Sequence, residues 1–69
     1  MISLTILIPA YNEEATILEI LGHVAEQKID DVRIQVLVVD DGSTDRTVEL
    51  LEQNPDLYTK LIKRPQNGG

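Results

Sequence analysis

The chain has 69 residues, 12 acidic and 6 basic, for a net charge of −6. That balance excludes the basic face on which non-specific nucleic-acid binding depends, and the absence of cysteine excludes disulfides and thiolate metal sites. Hydrophobic residues make up 42% of the sequence, an ordinary share for a globular chain. Sixty-nine residues make at most one small domain, which at this size buries only about 60% of its unfolded surface.

No linker, repeat or low-complexity tract divides the sequence, so residues 1–69 read as one unit. The N-terminus, "MISLTILIPAYNEE", is apolar only to Ile8 and has no basic leader. It reads as neither a signal peptide nor a membrane span, which points to a cytoplasmic location. At the other end "RPQNGG" follows directly on a predicted third strand, which reads as part of a longer domain.

Leu4 to Ile8 are short, apolar and rich in β-branched residues, the pattern of a strand buried on both faces. Pro9 is expected to end it, because proline cannot donate to a ladder. Asn12 then reads as an N-cap, with Glu13 and Glu14 in the first turn of a helix running to about Gln27. Ile17, Ile20, Leu21 and Val24 supply its apolar stripe, widened by Leu18 and Ala25. Arg33 to Val39 is the second predicted strand, and Gly42 makes the turn after it. Ser43 or Thr44 is the expected cap of a second helix over Asp45 to Gln53, which Pro55 prevents from continuing. Leu57 to Lys63 alternates loosely and reads as a third strand. The order β-α-β-α-β implies an α/β fold with a parallel sheet and right-handed crossovers.

In such sheets ligands bind outside the carboxyl ends of the strands, at a switch in strand order. The two unusual stretches, "PAYNEE" and "DDGSTD", end strands one and two, so both are expected at one edge of the sheet, facing each other across a crevice. Asp40 and Asp41 have two readings. They are a capped strand-to-helix turn, with Asp40 holding backbone amides and Asp41 solvated, or they are a ligand site, which their place at a strand's carboxyl end favours. An exposed carboxylate there accepts hydrogen bonds from a nucleobase N–H or from ribose hydroxyls. Tyr11 is either an ordinary loop tyrosine or a platform on which a base stacks. Glu13 reads as a first-turn acid, and Asn12, Ser43, Thr44 and Asp45 read as caps before contacts. His23, the only histidine, falls beside the apolar stripe and reads as a solvated flank residue. Lys60, Lys63 and Arg64 read as a charged strand edge that blocks edge-to-edge pairing. Neither G-x-G-x-x-G nor a Walker A lysine is present, which speaks against dinucleotide binding by that fingerprint and against P-loop chemistry.

Together, "ILIPAYNEEATILEIL" and "VLVVDDGSTDRT" resemble the N-terminal nucleotide-binding part of family 2 glycosyltransferases, and most nearly the branch of polyprenyl-phosphate, dolichol-phosphate mannose synthase-like transferases. The terminal "NGG" looks like the start of that branch's N-x-G-x-G/K loop. The resemblance implies a Rossmann-like half of a GT-A domain and a nucleotide-diphosphate sugar donor. Carried over by position, it puts Pro9, Tyr11 and Glu13 around the base and ribose, Asp41 on the base edge, and Asp40 in support of the turn. The family's metal-binding D-x-D motif and catalytic carboxylate base lie downstream of these motifs and have no match here. Mg²⁺ or Mn²⁺ is therefore expected of the full-length parent, at a site outside this chain. Partners implied are the nucleotide sugar and a sugar or polyprenyl-phosphate acceptor at the cytoplasmic face of a membrane. Two rival readings stand beside this one. The chain could be a non-catalytic module that self-associates through open sheet edges. It could also be a receiver-like phospho-acceptor domain, although in that class the acidic pair follows the first strand, not the second.

Overall fold

A computed structural model of the chain describes residues 2–27 and 29–64. The "NGG" loop start lies outside the described residues. Three strands and two helices alternate: β1 (Ile2–Ala10), α1 (Ile17–Ala25), β2 (Val32–Asp41), α2 (Thr47–Gln53) and β3 (Lys60–Arg64), with a 3₁₀ turn over Pro55–Leu57 before β3. The sheet is parallel and its spatial order is β1-β2-β3, with β2 in the centre. Both crossovers therefore run in one direction, and the described residues contain no switch in strand order.

One face of the sheet carries the core. Ile8 and Ala10 of β1 and Val36 and Val38 of β2 alternate inward and meet Ile17 and Leu21 of α1 and Leu51 of α2. This is the period-two alternation of a sheet covered on one side. The opposite face has no helix over it among the described residues, and Leu7 there is 63% exposed. The expectation of a first strand buried on both faces is corrected accordingly.

The other element boundaries moved for identifiable reasons. β1 does not stop at Pro9 but continues to Ala10, with Pro9 in register with Val39. β1 is an edge strand, where a missing N–H is tolerated. α1 begins at Ile17, not Glu13, and ends at Ala25. Residues 13–16 form a turn in which the Thr16 and Ile17 amides both donate to the Glu13 carbonyl. In the helix Ile17 and Leu21 are buried and Leu18 and Val24 pack beside them, while Ile20 is 39% exposed, on a flank that no described element covers. The third strand starts at Lys60, because Pro55–Leu57 take a 3₁₀ turn that sends Leu57 and Tyr58 onto the core.

The end of α2 is closed by side chains. The Asn54 amide donates to the Leu50 carbonyl and the Tyr58 hydroxyl to the Leu51 carbonyl, both at 2.8 Å. Burial raises the Tyr58 pKa, which keeps that hydroxyl protonated as a donor. Among the described residues no helix is long and apolar enough to cross a membrane.

Candidate nucleotide site at the carboxyl edge of the sheet

Because β1 and β2 are parallel neighbours, both loops that follow them leave from the same edge. Ala10 pairs with Asp40 at the end of the ladder, so Tyr11 and Asp41 are the next residues on chains about 4.8 Å apart. Beyond that point the loops are not separated by a crevice. They are hydrogen-bonded to each other along their length. The Asn12 amide donates to Ser43 Oγ at 2.9 Å, the Glu13 amide to Thr47 Oγ1 at 2.8 Å, and the Glu14 amide to Asp45 Oδ2 at 3.2 Å. In return Asn12 Oδ1 accepts from the Thr44 amide at 2.8 Å and the Asp45 amide at 3.3 Å.

These contacts reassign the expected caps. Asn12 caps no helix: it has a left-handed backbone, φ 50°, which asparagine tolerates better than most residues, and its side chain serves the opposite loop. Ser43 and Thr44 do not cap α2 either. Asp45 satisfies the first amide of that helix, accepting from the Thr47 N–H at 2.9 Å and from the buried Thr47 hydroxyl. Gly42, at φ 82°, makes the expected turn.

The two adjacent acids have different surroundings. Asp40 is 2% exposed, and its carboxylate accepts from the Gly42 amide at 3.2 Å, the Ser43 amide at 3.0 Å and the Ser43 hydroxyl. Asp41 points to solvent, with the Arg64 guanidinium 3.9 Å away and both side chains more than half exposed, a geometry that contributes little energy. Tyr11 and Pro9 are exposed, and Glu13 is half-buried with its carboxylate accepting from the Thr16 hydroxyl at 3.2 Å. The site residues expected from the sequence thus share one edge, with Asp40 held inside it and Pro9, Tyr11 and Asp41 open. Among the basic residues, Lys63 pairs with Glu52 at 3.2 Å and Arg46 with Glu49 at 2.8 Å. His23 lies exposed beside Glu19.

Asp45 is the titratable group that ties the loops. Desolvation pushes its pKa up, but hydrogen bonds from the Thr47 hydroxyl and amide and from the Glu14 amide outweigh that, so it lies below the ordinary aspartate range. A carboxyl with a depressed folded-state pKa stabilises the fold above its unfolded pKa, and loses that contribution as pH falls through the folded value. The thermal-stability gap between the wild type and Asp45→Asn should therefore be full at neutral pH and narrow as the solution is acidified below the ordinary aspartate range. A gap that does not narrow on acidification would show that the ionised carboxylate does not hold the loops.

The described residues do not fit a divalent cation. No group of three acids or histidines converges among the described residues, and the carboxylates of Asp40 and Asp45 are already committed to protein donors.

The model of glycosyl transferase family 2 matches residues 5–69. The chain belongs to this family. As a family 2 member it is 38% identical over its whole length to the poly(ribitol-phosphate) beta-N-acetylglucosaminyltransferase TarS of Staphylococcus aureus, and covers 12% of that protein. It is 31% identical to a dolichyl-phosphate beta-glucosyltransferase of Dictyostelium discoideum, with 99% of the chain and 24% of the relative matched. The crystal structure of S. aureus TarS residues 1–349 superimposes on the entire chain with a TM-score of 0.75 at 31% identity, over 21% of its own length. The α/β fold with a three-stranded parallel sheet is thus the Rossmann-like half of a GT-A domain, as the two motifs implied. The chain spans between about an eighth and a quarter of these relatives.

The sequence reading missed the roles of Asn12, Ser43, Asp45 and Thr47 across the loops. The signal available was an excess: "NEE" facing "STDRT" offers more short polar side chains than two helix starts consume.

Proposed function

We propose that this chain forms the base- and ribose-binding part of a glycosyltransferase that moves a sugar from a nucleotide-diphosphate donor to an acceptor. The observation that carries the reading is the selective freedom of Tyr11 and Asp41. They leave neighbouring strands side by side and open to solvent, while Asn12, Ser43, Asp45 and Thr47 around them are bonded within the protein. An aromatic face beside an open carboxylate suits a base that stacks and offers N–H groups or ribose hydroxyls. Five acids at this edge, Glu13, Glu14, Asp40, Asp41 and Asp45, oppose a bare phosphate there, so the base end of the nucleotide is the end this chain takes.

For the acceptor we propose a phosphate-bearing chain, polyprenyl phosphate first. The Dictyostelium relative is named for dolichyl phosphate, and TarS for poly(ribitol phosphate). The place of action proposed with it is the cytoplasmic face of a membrane, where a lipid-linked acceptor would be presented. Sugar transfer assayed against polyprenyl phosphate and poly(ribitol phosphate) in parallel separates the two acceptors.

Calorimetric titration with UDP and GDP tests the nucleotide reading. Tyr11→Ala should weaken binding through lost stacking worth about 1–3 kcal/mol. Asp41→Ala should weaken it by a comparable amount, about 1.5–3 kcal/mol for a charged hydrogen bond. Affinities unchanged in both variants would sink the assignment.

One observation favours a second reading, the self-associating module. β1 is a nine-residue edge strand, and its Leu7 is uncovered on the helix-free face. A clean monomer by size-exclusion with light scattering removes it.

A further inference from the structure

Two parallel relays join the loops, each running from a backbone amide through a hydroxyl to a carboxylate. In one the Asn12 N–H donates to Ser43 Oγ, whose own proton goes to Asp40. In the other the Glu13 N–H donates to Thr47 Oγ1, whose proton goes to Asp45. Thr47 has no exposed surface, so its hydroxyl has no water to turn to if either partner is lost. Asn12 closes the loop pair from the other side, its one carbonyl oxygen taking the Thr44 and Asp45 amides. The left-handed backbone of Asn12 is what turns that side chain towards the second loop while its amide still reaches Ser43. Tyr11 directly precedes the first bonded amide, and Asp41 lies between Asp40 and the Gly42 turn. Any slip of one loop against the other therefore changes the relation of Tyr11 to Asp41.

We propose that Asn12 and Thr47 are positioning residues, which lock the loop carrying Tyr11 onto the loop carrying Asp41 and so preorganise both for a nucleotide that neither Asn12 nor Thr47 touches. This rests on the nucleotide-binding reading above. Without the lock, binding must also order several backbone residues, an entropic cost that falls directly on affinity.

The test uses the full chain, UDP and GDP as probes, and three variants. Thr47→Val keeps the buried volume and removes the hydroxyl, Thr47→Ser restores the hydroxyl, and Asn12→Gly keeps the left-handed backbone while removing the acceptor. Thr47→Val and Asn12→Gly should each weaken binding of the preferred nucleotide about tenfold or more, and Thr47→Ser should stay within about threefold of wild type. Amide hydrogen exchange at Glu13 and Glu14 should be slow in the wild type and fast in Thr47→Val. A folded Thr47→Val that binds as the wild type does overturns the proposal, as does a Thr47→Ser that binds no better than Thr47→Val. Should Thr47→Val fail to fold, Asn12→Gly decides, because Asn12 lies outside the core. If the wild type binds neither nucleotide, the nucleotide reading fails. Amide exchange then judges the lock alone, and fast exchange at Glu13 and Glu14 in the wild type overturns it.

Discussion

Leu21→Ala should remove a large share of the stability of the fold and lower its unfolding midpoint accordingly. Leu21 has no exposed surface, and among the described residues it is one of seven buried apolar side chains, in a core that also includes Ile17, Val38 and Leu51. Truncating such a leucine costs about 2–5 kcal/mol, the lost burial plus the cavity left behind. A chain of this length has roughly 3–10 kcal/mol of stability in total at ordinary per-residue values. The loss is thus a large share of the reserve, and matches or exceeds it where the reserve is smallest. Ile20→Ala, one position away on the same helix but 39% exposed, should change stability by about 1 kcal/mol or less. Urea unfolding followed by far-ultraviolet circular dichroism compares the two, and equal midpoints would mean that α1 does not dock through Leu21.

The second large effect separates the adjacent acids. Asp40→Ala should destabilise the fold by about 2–4 kcal/mol, since it strips a buried acceptor from the Gly42 amide, the Ser43 amide and the Ser43 hydroxyl. Asp41→Ala should leave the unfolding midpoint within about 0.5 kcal/mol of wild type, because its carboxylate meets only an exposed guanidinium at 3.9 Å. The same pair should rank differently in nucleotide titration, where Asp41→Ala acts on the proposed ligand contact. If both substitutions destabilise equally, then Asp41 is a second structural acid and the open carboxylate of the proposed site is lost.

Several features were legible in the amino-acid order because each follows from local chemistry. Apolar β-branched runs alternating with amphipathic stretches allow few arrangements other than parallel β-α-β units. Gly42 was readable as a turn because a left-handed backbone favours glycine. The motif pair was enough to place the chain in its family, and the register of Ala10 with Asp40 shows why the motifs belong together: they end neighbouring strands at one edge.

What stayed hidden depends on contacts between segments more than thirty residues apart. Asn12 followed by two glutamates has the look of a helix start, yet its side chain is claimed by the amides of Thr44 and Asp45, and the helix waits until Ile17. Ser43 and Thr44 have the composition of caps, but Ser43 braces Asp40 and the Asn12 amide instead, and Asp45 takes the capping role. Propensity scores a residue against its own neighbours in sequence, and these side chains are satisfied by neighbours in space. By itself the sequence determined the parallel α/β order, the shared edge of the two motifs and the family. Only the tertiary structure decided which polar residues at that edge bond the loops to each other and which stay open, because the parallel strands bring the two loops side by side and the nearest acceptors for several of their backbone amides are then side chains on the opposite loop.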